Sequence, residues 1–318
     1  QIKLSKQRVE GYRNFITKIW NAMKLCEKNE CRFIEFDVNQ INNIFNLWVL
    51  NEFEKCRKKT EIAILNYKFN EAANELYKFT WSIFCDWYLE FSKIIFTSED
   101  ASEVQETKSV TSFIISNILI MLHPIIPFFT EHLWEKASAI LKKGTPRISQ
   151  EKWPETLQNL SMDSSDINLL IELISAIRST RAEMNVPANA KVEINFSKIS
   201  SNLDSVIQKY SNVIISIARL SSIQKREFSK DAGMVQVLFN DGLIYLCLKG
   251  IIDFSEERNR LEKNLSKINI EISKIHKKLN DEKFINNAPK EVIDEQKERE
   301  KDYLSSKERL EKAIKSIK

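Results

Sequence analysis

Residues 70–96 read NEAANELYKFTWSIFCDWYLEFSKIIF. Leu76, Tyr77, Phe79, Trp81, Phe84, Trp87, Tyr88, Leu89 and Phe91 leave almost no polar face on a helix of this length. Such a helix must be buried on most sides, so other helices have to surround it. The flanking sequence supplies them. From Ser5 to about Asn29 the apolar residues Val9, Tyr12, Phe15, Ile16, Ile19, Trp20 and Met23 recur at steps of three and four, which marks one face of a helix. A second helix is predicted over Asn39–Tyr67, a fourth over about Val104–Leu122, and a shorter one from near Thr130. Five helices in this span read as a helical bundle covering residues 1–145. The most apolar run, Phe113 to Phe129, contains Asn117, His123, Pro124 and Pro127, which fits a buried helix and turn better than a membrane span.

The composition agrees. Only 5 Gly and 6 Pro occur in 318 residues, which argues against an all-β fold and against glycine-rich phosphate loops. The net charge of +4 permits a polyanionic partner without demanding one. Cys26, Cys31, Cys56, Cys85 and Cys247 form no C-x-x-C pair, and with His123, His132 and His276 they offer no zinc-ligand spacing. Buried free thiols in a reducing compartment are expected.

Beyond the bundle the pattern changes twice. Residues 146–253 begin with a connector rich in Pro, Ser and Asp, then a helix over Asp166–Met184 that stops at Asn185-Val186-Pro187. A strand at Lys191–Phe196, a helix near Asn202–Ile217 and strands at Val235–Phe239 and Leu243–Leu248 around the turn Asn240-Asp241-Gly242 make a small α/β domain. In residues 254–318, Leu261, Leu265, Ile268, Ile272, Ile275 and Leu279 form a strict heptad seam. The pattern breaks at Asn280–Asn287 and resumes after Pro289. Ile293, Tyr303, Leu310, Ile314 and Ile317 form the second seam, weakened by Gln296, Glu300 and Lys307. The fold class is therefore mainly α: a helical bundle, a small α/β domain and an antiparallel coiled-coil hairpin. The hairpin is expected to have no core beyond its own seam. With Leu279 level with Ile293, Lys274 lies opposite Glu298 and Arg299, so Lys274 and Arg299 form one cationic patch midway along the rod.

No catalytic constellation, metal-ligand set or nucleotide loop is evident, so neither catalytic nor metal residues are assigned. The basic residues say more. Lys3, Lys6, Arg8, Arg13 and Lys18 lie on the first helix, Arg178 and Arg181 one turn apart before the first strand, and Arg258, Arg260, Lys263, Lys267, Lys274, Lys277 and Lys278 on the hairpin. A basic rod suits a phosphate backbone, but a solvated coiled coil with interleaved Glu262, Glu271, Glu298 and Glu311 gives the same pattern.

Several motifs bear on that choice. Arg8-Val9-Glu10-Gly11-Tyr12-Arg13-Asn14-Phe15 with Lys18-Ile19-Trp20-Asn21-Ala22, then Phe69-Asn70-Glu71-Ala72-Ala73, Cys85-Asp86-Trp87-Tyr88-Leu89-Glu90, His123-Pro124-Ile125-Ile126-Pro127-Phe128 and Trp153-Pro154, resemble the anticodon-binding bundle of valyl-tRNA synthetases. Arg181-Ala182-Glu183-Met184-Asn185-Val186-Pro187 resembles the family's α/β segment, and Phe284 with Ala288-Pro289-Lys290-Glu291-Val292-Ile293 its terminal coiled-coil arm. The resemblance implies tRNA recognition by the carboxy-terminal part of a class I enzyme that attaches valine to its tRNA using ATP. The catalytic part, with ATP and magnesium, would lie before Gln1. This chain is then expected to be inactive alone, to need no cofactor of its own, and to bind valine tRNA but neither DNA nor membrane. The same resemblance implies a cytoplasmic monomer.

Carried over by position, Lys18, Leu89 and Glu90 fall where the family reads the anticodon, with Arg13 as a nearby phosphate candidate. The position seven residues after Lys18, often aromatic in the family, is Leu25, which cannot stack in the same way. Lys274 and Arg299 are the candidates for the outer corner of the tRNA. For Trp87 and Tyr88 a core role is expected. Two other readings remain open at this point: a helical and coiled-coil module for protein partners, and the equivalent part of an isoleucyl or leucyl relative.

Overall fold

The computed structural model describes residues 6–137, 140–141, 145–158, 160, 162–226, 233–237, 239, 242–281 and 289–316. The turn residues Asn240 and Asp241, most of the break between the arm helices with Phe284 and Ala288, the seam residue Ile317 and the basic residue Lys3 lie outside these, as do the side chains of Lys6 and Arg8. The chain forms two compact units. The first ends at Asn168 and the second begins at Leu169.

The first unit is the expected bundle. Its helices are α1 (Lys6–Lys28), α2 (Ile44–Leu65), α3 (Phe69–Lys78), α4 (Leu89–Ile95), α5 (Ala101–Leu122) and α6 (Pro127–Lys136). Pro127 opens α6, where its missing N–H costs nothing. Asn43 caps α2 by accepting from Phe45 N (2.9 Å) and Asn46 N (3.2 Å), and Asp100 caps α5 in the same way. Trp48, Phe53, Phe84, Tyr88, Phe91 and Trp134 are its largest fully buried side chains.

The centre is not wholly apolar. Tyr88 Oη donates to Asn46 Oδ1 at 2.8 Å and touches Thr111 Oγ1 at 3.2 Å, while Asn46 Nδ2 donates to Glu106 (2.8 Å) and Thr107 (2.9 Å). Buried polar groups satisfied in this way select one packing of α2 against α5. Burial pushes the Tyr88 phenol well up, so it stays a neutral donor. A second network holds Arg57, whose guanidinium donates to Glu54 (2.7 and 2.9 Å), Glu61 (2.8 Å) and Thr156 Oγ1 (2.9 Å).

The single apolar helix expected over 70–96 is corrected. Between α3 and α4, residues Phe79–Tyr88 wind as a π-helix. Its i→i+5 hydrogen bonding widens the turn and realigns the side chains. Phe84 and Tyr88 both turn inward, and their rings stack with centroids 5.9 Å apart.

In the second unit, α7 (Ser165–Glu183) ends before Pro187, and four strands follow: β1 (Val192–Ser197), β2 (Leu220–Lys225), β3 (Met234–Val237) and β4 (Leu243–Cys247). The sheet order is β2-β1-β4-β3, with β2 parallel to β1 and the other pairs antiparallel. Strand β2 was not anticipated, and the helix expected over Asn202–Ile217 is two, α8 (Ser201–Lys209) and α9 (Ser211–Ala218). Ile194, Leu246 and Val235 stand in register across three strands and are fully buried, as are Ile244 and Val237 in the next row. One face of the sheet is therefore a continuous apolar layer.

The hairpin consists of α10 (Phe254–Leu279) and α11 (Lys290–Ser316), each about 40 Å long at 1.5 Å per residue. Asp253 caps α10 by accepting from Ser255 N (2.9 Å) and Glu256 N (3.1 Å). Leu261, Ile272, Ile275 and Gln296 are buried in its seam. It is not self-contained, which corrects the expectation. Arg260 Nη2 donates to Glu183 O at 2.8 Å, and the same guanidinium holds the buried Glu257 carboxylate. Thr180, Met184, Gln236, Lys312 and Ala313 line one cleft, so the root of the hairpin rests against the end of α7 and β3.

Candidate functional site

Helix α1 packs against the π-helical segment and α5. At its contact with the π-helical segment, Lys18 lies between an anion and an aromatic ring. Its Nζ pairs with Asp86 Oδ1 and stands 3.8 Å from the centroid of the Trp81 ring. Trp81 and Asp86 are five residues apart. In an α-helix they would point about 140° apart. The wider π turn brings i and i+5 nearly into line, and that is what gives Lys18 both partners. Tyr77 stacks on Trp81 (5.7 Å, 18°), and Phe15 lies against both, at 4.8 Å from Tyr77 and 6.5 Å from Trp81. The result is a half-exposed aromatic surface with a fixed ammonium group at its edge.

The other sequence candidates fall around this centre unevenly. Glu90 is half-buried and pairs with Lys93 at 2.6 Å. Leu89 is buried, 4% exposed, and so forms no part of an exposed surface. Leu25, two turns after Lys18, is half-buried on the same flank of α1. Arg13 is exposed and lies about 140° round α1 from Lys18, so the structure does not bring these two together. That other flank carries Trp20, stacked on His132 with centroids 6.4 Å apart, and faces α6. Tyr88 is core as expected, while Trp87 is half-exposed beside Phe91. Sequence reasoning missed Trp81, Tyr77 and Asp86 as neighbours of Lys18. The i, i+4 spacing of Tyr77 and Trp81 was a usable signal.

On the hairpin, Lys274 and Arg299 are both largely exposed. Each has an acidic partner on its own helix, Lys274 with Glu271 (2.6 Å) and Arg299 with Glu295 (3.0 Å). The register differs from the one assumed. His276 meets Glu300 at 2.5 Å, one helical turn further along α11 than a level Leu279–Ile293 pair requires. Lys274 and Arg299 are thus offset along the rod instead of directly opposed.

All five cysteines are free thiols. Cys26, Cys31, Cys56 and Cys85 are buried, and burial pushes Cys56 and Cys85 up to about 12. Among the described residues no group of three or more His, Cys, Asp or Glu could hold a metal ion. No helix there is long and apolar enough to cross a membrane.

Two family models match the chain. One, described as the anticodon-binding domain of tRNA ligase, covers residues 46–196, including Leu89 and Glu90. The other, described as the valyl tRNA synthetase tRNA binding arm, covers residues 253–318, including Lys274 and Arg299. The chain belongs to the valyl-tRNA synthetase family. It is 34% identical to the valine–tRNA ligase of Mesorhizobium japonicum over 98% of its own length, 35% identical to that of Caulobacter vibrioides over 98%, and 34% identical to that of Nitrobacter winogradskyi over 100%. It spans about a third of the length of these relatives, covering 34%, 35% and 36% of them. Lys18, Arg13 and Leu25 precede the part matched by the anticodon-binding model and lie in the stretch that the full-length relatives cover.

Proposed function

We propose that this chain is a tRNA-recognition module. The bundle reads the anticodon loop of a valine tRNA, and the helical hairpin packs on the outer corner of the same molecule. In this reading it serves an ATP-dependent enzyme that attaches valine to its tRNA. The observation that carries the reading is Lys18, held between Asp86 and Trp81 at the edge of a half-exposed aromatic surface. Single-stranded loop bases are recognised by stacking on such rings and by hydrogen bonds to their edges. Asp86 offsets the charge of Lys18 and fixes its direction, so the ammonium acts as an aimed donor to a base. A free lysine would act as a mobile cation for any phosphate. Glu90 supplies an acceptor once it turns from Lys93. Leu89 and Leu25 shape the floor and flank, and Arg13 contacts the backbone from the other side of α1. Lys274 and Arg299 each meet a phosphate of that corner.

The test is binding of the chain to valine tRNA at several salt concentrations. Lys18→Ala and Glu90→Ala should each reduce anticodon preference by about 1–3 kcal/mol if they hydrogen-bond a base. The double change Lys274→Ala with Arg299→Ala should leave preference intact and lower the salt slope by about two, one for each phosphate no longer neutralised. Unchanged preference in both single variants contradicts the anticodon assignment.

A further inference from the structure

Two arginines in the second unit grip one turn of the main chain and have no acidic partner among the described residues. Arg181, in the last turn of α7, is 7% exposed. Its Nη2 donates to Ala190 O at 2.7 Å and its Nη1 to Arg219 O at 3.3 Å. Arg219 follows α9 with a left-handed backbone (φ 55°), is exposed, and donates from Nη1 to Ala188 O. Both therefore hold the residues 188–190 that lead into β1. Neither is ion-paired with a carboxylate among the described residues. Burial lowers the Arg181 pKa, and the charge of Arg219 lowers it further, so the two cations repel each other. Exposed Lys191, next in the chain after Ala190, adds a third positive charge.

A charge withdrawn from water is costly unless an opposite charge meets it. Main-chain carbonyls carry only partial charge and use one donor each on Nη1 and Nη2 of Arg181 and one on Nη1 of Arg219, of the five on each guanidinium. We propose that Arg219, backed by Arg181, is a phosphate-binding site that takes a phosphodiester of the tRNA backbone. The planar fork of a guanidinium matches two phosphate oxygens. Arg219 and the chain around it, residues 197–252, fall outside both family matches. The proposal rests on the reading of the chain as a tRNA-binding module.

The full chain is titrated with valine tRNA across a salt series, unaltered and as Arg219→Gly and Arg219→Lys. Glycine suits a positive φ, so Arg219→Gly removes the guanidinium while easing the backbone, and melting curves confirm that it folds. Arg219→Gly should bind about tenfold more weakly at low salt, as for loss of a charged hydrogen bond, with a salt slope lower by about one. Arg219→Lys should keep the slope and lose part of the affinity. Affinity and slope unchanged in both variants would show that the arginines only hold the turn, which overturns the proposal. Inorganic phosphate is titrated separately without RNA. Saturable binding lost in Arg219→Gly, with tRNA binding unaffected, would mark a free-phosphate site and overturn the tRNA assignment. If the unaltered chain binds no tRNA, the functional reading itself fails, and the proposal fails with it.

Discussion

Replacing Tyr88 with Phe removes one oxygen from the centre of the bundle and almost no volume. Tyr88 and Asn46 are both 0% exposed, and the lost hydroxyl is a donor to Asn46 Oδ1 at 2.8 Å. The Asn46 amide is held by Glu106 and Thr107 through Nδ2, so it cannot turn its oxygen to water. A buried acceptor left without a donor costs about 1–3 kcal/mol. For a unit of this size each kcal/mol lowers the melting temperature by about 2–4 °C, so Tyr88→Phe should melt about 4–8 °C lower in the middle of that range. Thermal unfolding followed by circular dichroism measures it. Far-ultraviolet spectra and RNA binding should match the unaltered chain, because the hydroxyl bonds Asn46 and Thr111 and takes no part in the Lys18 contacts. A fall below about 1 °C would refute the view that this network selects the packing of α2 on α5.

Four further outcomes follow from buried charge and burial. Cys56 and Cys85, pushed up to about 12, should resist an alkylating reagent at pH 8 in the folded chain and react readily once unfolded; rapid native labelling, read by peptide mapping, would count against their burial. Because the unfolded thiols ionise at a lower pH than the folded ones, stability should fall as pH rises from about 9 towards about 12, and should show no contribution from these groups below that window. Arg57→Met strands Glu54 under the 145–158 segment and should cost about 3–5 kcal/mol in chemical unfolding, whereas a cost below about 1 kcal/mol would mean that the pair is solvated. Arg260→Ala leaves the buried Glu257 carboxylate without its guanidinium and frees the root of α10, so amide exchange over 254–265 should quicken while the bundle is unaffected; equal exchange would show that this arginine does not anchor the root.

The parts of the fold that the sequence revealed are those with a regular period and a hard stop. The heptad from Leu261 to Leu279 and the apolar steps of α1 locate their helices to within a residue or two, and Pro187 fixes the end of α7. Strand β2 was hidden because Leu220–Lys225 is an edge strand with one buried residue and no alternation to detect. The π winding of Phe79–Tyr88 was hidden for the opposite reason: with apolar residues at nearly every position, steps of four and five cannot be told apart. That loss carried into the site. Lys18 was visible through resemblance, but Asp86 and Trp81 become its partners only through the widened turn. The hairpin register failed on the polar seam of α11, where Gln296 is buried and Glu300 faces His276, so counting from Leu279 and Ile293 had no aliphatic ladder to follow.

The central claim is that the bundle reads an anticodon. Its most direct test is the affinity of the unaltered chain for two transcripts, a valine tRNA and the same tRNA carrying the anticodon of another amino acid, at one fixed salt concentration near physiological. Both transcripts offer the same corner and the same backbone charge, so the contributions of the hairpin and of every phosphate cancel. The account predicts weaker binding of the swapped transcript by about 1–3 kcal/mol for each base no longer recognised. Equal affinity for the two transcripts would contradict it.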